Sequence, residues 1–324
     1  MMHLRCHGLL RTVVVLAAVL ILAPARAQEQ PIRIIFPFAA GGSGDGLARL
    51  IADKMRAGLN RPVIVESRTG ASGRLGVQAV KAAAPDGNTL LITPIAPVAI
   101  YQHVYASLDY DPIADFVPVS QVATFDFGVA VGPQITAVSL KDLVAWAKAN
   151  PAQANYGIPA AGSLPHFLGV MFGRTTGTDV RAVPYRGSAA ALTDLVGGQI
   201  AMVFTTTSDL AEMHKAGRIR MLATSDRARS PFVPEVPTFR EAGYDLEATG
   251  WYGMFAPAKT PPDVVERLNK AIVAAVRLPE VQERMRAFGL QPTGTSAAAF
   301  AEIQKADSAR WAPHVKASGF KPQD

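Results

Sequence analysis

The chain has 324 residues, a formal net charge of +6 and one cysteine, Cys6. No cysteine follows Cys6, which excludes disulfides, zinc–thiolate sites and cysteine nucleophiles from the rest of the chain. A net charge of +6 does not by itself indicate a nucleic-acid partner, and we expect none.

The first residues have the pattern of a secretory signal peptide. Two arginines make the start basic, residues 13–22 form an apolar run too short to span a bilayer stably, and residues 25–27 fit the small-residue rule for cleavage. Cleavage would remove three arginines and no acid, so the net charge would fall from +6 to +3. We predict a signal peptide at residues 1–27 and a soluble exported protein; an uncleaved membrane anchor is the alternative.

The next stretch predicts a strand, a glycine turn and a helix start in direct succession. Residues 32–36 are apolar and read as a buried strand, which Pro37 ends because proline has no N–H for a sheet ladder. Three glycines follow, and Asp45 is predicted to cap a helix over residues 46–59. The free N–H groups and the helix dipole of such a unit form a neutral receptor for an anion.

Strands and helices then alternate, with strands predicted at residues 63–65 and 89–93 around a helix at residues 75–84. Repeated strand–helix–strand units predict a parallel sheet covered by helices on both faces. Ligands of such sheets bind beyond the carboxyl ends of the strands, which is where the glycine turn falls.

A long extended passage at residues 117–131 interrupts this alternation and predicts a crossover into a second domain. Strands and helices alternate again up to residue 224. A strand at residues 251–257 and an amphipathic helix after it then return the chain to the first domain. We predict domain I from residues 28–122 plus 227–324, and domain II from residues 123–226.

Three segments place glycine and hydroxyl residues between a strand and a helix start, namely residues 41–45, 162–166 and 185–188. One such segment alone is most often a structural cap. Three in one chain suggest helix N-termini that converge on a cleft. Unpaired N–H groups and hydroxyls can replace the water around a carboxylate, so the cleft suits a carboxylate ligand.

Longer motifs around these segments resemble one known family, the substrate-binding proteins of tripartite tricarboxylate transporters (the TctC or Bug type). The resemblance runs over residues 31–319. It is carried by PIRIIFPFAAGGSGD at residues 31–45, RPVIVESRTGASG at 61–73, AAPDGNTLL at 83–91, NPAQANYG at 150–157, VPYRGSAAALTDLVGGQI at 183–200 and VPTFREAGY at 236–244.

The resemblance implies an α/β, two-lobed, type II periplasmic binding protein fold. Each lobe would be a mostly parallel sheet flanked by helices, with the ligand in the cleft between the lobes. It also implies an extracytoplasmic solute-binding protein that captures a small di-, tri- or aromatic carboxylate. The protein would be a periplasmic monomer that hands its ligand to the membrane permease subunits of a tripartite tricarboxylate-type transporter.

The family pattern also implies which residues contact the ligand. They lie in the loop after the first strand, in the Gly-Ser-x-x-His segment and in the Tyr-x-Gly-Ser loop. Carried onto this sequence, they are Phe38, Ala40, Gly41, Gly42, Ser43, Asp45, Ser163, His166, Gly187 and Ser188. We also predict that Thr205 contacts the ligand.

Two departures from the family pattern bear on the ligand. Residues 94–98 read Pro-Ile-Ala-Pro-Val where the family usually shows small polar residues, which favours a ligand with an apolar body such as an aromatic or alkyl carboxylate. Residues 205–207 are three threonines where the family often has Asp-Asn. The absence of an acid there argues against an amino-acid ligand.

Other readings stay open from the sequence. An exported hydrolase would use Ser163 or Ser43 with His166, but the G-x-S-x-G nucleophile elbow is missing and no orienting acid is evident. A ligand-sensing protein that docks to a receptor has the same sequence signature as a transport protein. We predict no catalytic residue, no metal site and no cofactor.

The sequence also leaves three side chains undecided near the predicted cleft. Arg186 is either a clamp for a carboxylate or a solvated residue at a helix start. Trp251 and Tyr252 either face the cleft or pack in the core.

Overall fold

The described part of the chain, residues 30–321 of a computed structural model, opens with the predicted strand, turn and helix. Strand β1 is Ile32–Phe36 and helix α1 is Ser43–Leu59. The predicted signal peptide at residues 1–27 lies outside the described residues.

Helix α1 begins three residues earlier than predicted, because Gly42 is its N-cap. The prediction of Asp45 as the cap is therefore wrong. The Asp45 carboxylate lies in the first turn, accepts a hydrogen bond from Gly41 N–H at 3.3 Å and pairs with the Arg49 guanidinium at 3.0 Å. An acid in the first turn complements the positive end of the helix dipole. Asp45 therefore stabilises the start of the helix from its first turn and not as its cap.

Strands and helices alternate over most of the chain that follows, as predicted. In chain order they are β2 (Val63–Ser67), α2 (Arg74–Lys81), β3 (Thr89–Pro94), α3 (Tyr101–Val104), β4 (Phe116–Val131), α4 (Leu140–Ala149), β5 (Asn155–Ile158), α5 (Leu164–Thr176), β6 (Arg181–Pro184), α6 (Ser188–Val196), β7 (Met202–Thr206), α7 (Thr207–Lys215), β8 (Arg220–Thr224), β9 (Thr249–Pro257), α8 (Pro262–Arg277), α9 (Pro279–Ala287), β10 (Gln291–Pro292) and α10 (Ala297–Ser318).

These strands hydrogen-bond in the order β2-β1-β3-β9-β4-β7-β5-β6, with β8 and β10 also paired to β4. The triplets β2-β1-β3 and β6-β5-β7 are parallel, as repeated strand–helix–strand units require. Every pair that involves β4 or β9 is antiparallel. The α/β fold class is therefore confirmed, and its sheet is more mixed than the predicted mostly parallel one.

The long strand β4 joins the two parallel triplets. Its first part pairs with β9 up to Asp126, and its last part pairs with β7 from Phe127 and with β8 from Gly128. This confirms the extended passage predicted at residues 117–131. The predicted domain boundaries at residues 122–123 and 226–227 remain predictions.

Helix α1 shows how the sequence builds the core around this sheet. Leu47, Ile51 and Met55 recur at helical spacing and are completely buried. Each such side chain contributes about 1.5–3 kcal/mol of hydrophobic stabilisation. Within residues 30–321, no helix is both long enough and apolar enough to cross a membrane.

Candidate functional site

A cavity of about 200 Å³ lies where four helices begin. Helices α1, α5, α6 and α7 each follow a strand, and each sends residues of its first turn or N-cap to the cavity wall. Three of these helix starts are the segments predicted to converge, so that prediction is confirmed. Six of the predicted ligand-binding residues line the cavity: Phe38, Gly42, Ser43, Ser163, Gly187 and Ser188.

The other five predicted ligand-binding residues do not line the cavity. Ala40 and Gly41 are exposed, and Asp45 is buried beside Arg49. Thr205 is completely buried, and its Oγ1 lies 2.8 Å from Ser188 Oγ. Thr205 therefore orients the Ser188 hydroxyl from behind, and the adjacent Thr206 lines the cavity.

His166 is also buried behind the wall. Its Nδ1 accepts a hydrogen bond from Gly162 N–H at 3.0 Å, and its ring packs edge-on against Phe320. Burial lowers the pKa of His166 to about 4, so the ring is neutral at pH 7. The Ser163 Oγ donates to Ala160 O at 2.7 Å, so neither side chain is hydrogen-bonded to the other.

One end of the cavity is electropositive. Helices α5 and α6 carry no acid in their first turns, so their N–H groups and dipoles stay uncompensated. Arg186 stands at the start of α6, is exposed, and makes no hydrogen bond or ion pair with any of residues 30–321. It also lines an adjoining hollow of about 230 Å³.

Gly187 fixes the geometry of this end. Its φ of +125° and ψ of 167° lie in a region that only glycine adopts without strain, and its N–H donates to Pro159 O at 3.0 Å. The resulting turn brings Ser188 and the N-terminus of α6 to the cavity wall.

Another part of the cavity wall carries an acid that the sequence analysis missed. Asp209 lies in the first turn of α7, and its Oδ1 accepts a hydrogen bond from Ser43 N–H at 3.1 Å. The Ser208 hydroxyl also donates to Ser43 Oγ at 3.1 Å. An acid therefore does line the cavity, so the lack of one at residues 205–207 does not argue against an amino-acid ligand.

The rest of the wall is mostly apolar. Pro94, Ile95 and Ala96 line the cavity, so the first part of the predicted apolar wall is confirmed, whereas residues 97 and 98 are buried behind it. Aromatic rings form the other side: Phe36, Phe38, Phe125, Phe127 and Tyr252.

The surroundings of Trp251 and Tyr252 show which of them faces the cavity and which packs in the core. Tyr252 faces the cavity, and its ring lies 4.8 Å from that of Phe125. Trp251 packs against Phe300 and donates from its indole nitrogen to Asp307 at 2.8 Å. Gly44 makes room for Tyr252, because a Cβ at this position would lie 2.7 Å from the tyrosine oxygen.

Metal-binding groups are not a feature of this site. Across residues 30–321, no three His, Cys, Asp or Glu side chains come together in a way that could hold a metal ion. The chemistry of the cavity is therefore that of hydrogen-bond donors, one cation, one carboxylate and apolar surface.

Comparison with known proteins gives a consistent set of relatives. The family model described as tripartite tricarboxylate transporter family receptor (TctC) matches residues 47–320. Protein BugT of Bordetella pertussis strain Tohama I is 34% identical over 306 residues, which cover 93% of this chain and 94% of BugT.

Solved structures agree with this match. R. palustris Rpa4515, solved with adipate, has a TM-score of 0.88 and 31% identity, covering 92% of this chain and 100% of its own. MatC (Rpa3494) from Rhodopseudomonas palustris, solved with bound malate, has a TM-score of 0.84 and 28% identity, covering 88% of this chain and 98% of its own.

Proposed function

This chain belongs to the tripartite tricarboxylate transporter receptor family, and we propose that its cavity captures a small carboxylate for uptake through a transporter of that type. The family is one of solute-binding proteins, and its relatives Rpa4515 and MatC were solved with adipate and malate. The observation that carries the proposal is the electropositive end of the cavity, where the starts of α5 and α6 and the unpaired Arg186 meet.

The chemistry of that end fits a carboxylate. The first N–H groups of α6 have no intrahelical partner, and the Ser188 hydroxyl is held beside them by Thr205. The Arg186 guanidinium can add two parallel hydrogen bonds to the same carboxylate. Hydrogen bonds to a charged group each contribute about 1.5–3 kcal/mol, so two or three of them suffice for useful affinity.

Capture without turnover is part of the proposal. The Ser163 hydroxyl donates to a backbone carbonyl, and His166 Nδ1 accepts from a backbone N–H, so neither is arranged to activate a nucleophile. We further propose that the protein works in the periplasm after loss of residues 1–27. Domains I and II, as predicted, would close on the ligand before transfer to the permease subunits.

Thermal unfolding of ligand-free residues 28–324 tests this function. Stripped by unfolding and refolding, the protein would be screened with citrate, malate, adipate, benzoate and 4-hydroxybenzoate. A ligand at a hundred times its Kd adds about 2.7 kcal/mol, so we expect at least one carboxylate to raise Tm by several degrees. Benzyl alcohol and 1,6-hexanediol, which lack the charge, should leave Tm unchanged.

A pair of glycine variants gives the matched control. Gly187→Ala strains the turn that starts α6 and should abolish the ligand-induced rise in Tm. Gly177→Ala also loses a left-handed glycine, but its Cβ meets no atom within 4 Å, and Gly177 ends α5 away from the cavity. It should lower the basal Tm and keep the rise. A folded protein that no carboxylate stabilises would contradict the proposed function.

A further inference from the structure

The N-terminus of α1 is already partnered by a carboxylate of the protein itself. Asp209 Oδ1 accepts from Ser43 N–H, the first residue of α1, across 166 positions of sequence. The Ser43 hydroxyl accepts from Ser208, the neighbour of Asp209. One of the N–H donors that the sequence analysis assigned to a ligand anion in this loop, that of Ser43, is thus bonded to α7.

Asp209 nevertheless belongs to the cavity surface and is only half-buried. Its charge also acts on the aromatic wall. The pKa of Tyr252 is raised mainly by burial and, to a smaller extent, by the Asp209 carboxylate. Any ligand group beside Asp209 therefore meets a negative charge. The same cavity is also lined by Arg186 and by two helix starts without acids.

We propose that Asp209 determines ligand specificity by requiring a monocarboxylate whose far end carries a hydrogen-bond donor, a hydroxyl or an ammonium group. This rests on the proposed function and names its ligand class. The carboxylate of the ligand lies at Arg186 and Ser188, its apolar body lies along Ile95 and the aromatic rings, and its donor meets Asp209. A second carboxylate beside Asp209 is disfavoured, because it would face a like charge and the Ser43 N–H is already bonded to Asp209.

Two matched ligand sets test the inference by isothermal titration calorimetry. The aromatic set is 4-hydroxybenzoate, 4-(aminomethyl)benzoate and terephthalate; the aliphatic set is 6-hydroxyhexanoate, 6-aminohexanoate and adipate. Within each set only the far group changes from donor to carboxylate. In the wild-type protein we expect the better donor ligand of at least one set to bind tenfold or more tightly than its dicarboxylate.

The variant Asp209→Asn removes the charge and keeps an oxygen acceptor. We expect it to reduce that preference at least tenfold, chiefly through tighter dicarboxylate binding. It separates the two donors, since an ammonium ligand should lose affinity and a hydroxyl ligand should keep most of it. The control Asp263→Asn, an exposed acid in the first turn of α8, makes the same change of charge elsewhere and should leave every affinity unchanged.

The failures are distinguishable. If terephthalate and adipate both bind as tightly as their donor counterparts, or if Asp209→Asn leaves the preference unchanged, the role of Asp209 is overturned and the proposed function still stands. If only malate or citrate binds, the ligand class is overturned and the function again stands. If no carboxylate binds to the folded protein, the proposed function fails and the inference fails with it.

Discussion

Replacing Arg186 by glutamine is expected to weaken carboxylate binding by about ten- to a hundredfold, because a hydrogen bond to a charged group contributes about 1.5–3 kcal/mol. The free energy of unfolding should change by less than about 0.5 kcal/mol, since Arg186 is exposed and makes no hydrogen bond or ion pair within residues 30–321. Calorimetric titration gives the first quantity and urea unfolding of the ligand-free protein gives the second.

Two further variants make this result specific. Arg186→Lys keeps the charge but loses the planar fork of donors, so its affinity should fall between those of the wild type and Arg186→Gln. Arg267→Gln removes an exposed arginine from α8, away from the cavity, and should bind like the wild type. Unchanged affinity in Arg186→Gln would return Arg186 to the alternative reading, a solvated residue at a helix start.

Replacing Asp126 by asparagine is expected to stabilise the ligand-free protein by about 3 kcal/mol at pH 7.5 and by almost nothing below pH 4. Asp126 is buried at the point of β4 where the strand passes from β9 to β7, and it accepts a side-chain hydrogen bond from Thr207 Oγ1 at 2.8 Å. Burial raises the pKa of Asp126 to about 6 from an ordinary value of 3.8.

The sign follows from proton linkage. Because the pKa of the folded state is the higher one, the favourable contribution of the protonated carboxyl is complete below pH 3.8. It is lost as the pH rises through about 6. The difference between the two pKa values corresponds to about 3 kcal/mol. Asparagine is never charged and keeps an oxygen acceptor for Thr207, so it avoids that loss.

His166 acts in the opposite direction over the same range of pH. Its lowered pKa, about 4, means that the unfolded chain binds a proton below pH 6.5 that the folded chain does not, so stability falls toward acid. The wild-type profile therefore combines two opposing slopes. Subtracting it from the Asp126→Asn profile cancels the His166 contribution and isolates that of the carboxyl.

Urea unfolding from pH 4 to pH 7.5 measures this difference. Thr207→Val is the companion variant, because it removes the one side-chain donor to Asp126 and should destabilise the protein more at pH 7.5 than at pH 4. Parallel wild-type and Asp126→Asn profiles at every pH would contradict the account of a buried carboxyl that titrates near pH 6.

Much of the fold is predictable because it follows local periodicity. The β1 strand, the glycine turn and the amphipathic α1 are each encoded in adjacent residues. The passage of β4, rich in valine and phenylalanine, is visible as one extended segment. The antiparallel placement of β9 between β3 and β4 is not encoded locally. It depends on which sheet edge is free when the chain returns, which a pattern of hydrophobic residues does not state.

The candidate site likewise has features that adjacent residues encode and features that they do not. Helix starts at Gly42, Ser163 and Gly187 carry a glycine or hydroxyl signal, and all three reach the cavity. Helix α7 follows β7 without a loop, so no glycine marks its start, and Asp209 escaped notice.

The threonine run and His166 show a second limit of the sequence. In residues 205–207 a single register position decides which threonine faces the cavity, and identical residues give no sign of it. The Gly-Ser-x-x-His spacing likewise cannot show that Gly162 N–H needs an acceptor and takes His166.

The most direct test of the central claim is a calorimetric titration of ligand-free residues 28–324 with 4-hydroxybenzoate and with 4-hydroxybenzyl alcohol. The two compounds share ring and hydroxyl and differ in the carboxylate alone. The account predicts saturable binding of one 4-hydroxybenzoate per chain, with the alcohol bound at least a hundredfold more weakly. Saturable binding of both compounds with comparable affinities would contradict it, because the cavity would then be an apolar pocket in which the α5 and α6 starts and Arg186 recognise no anion.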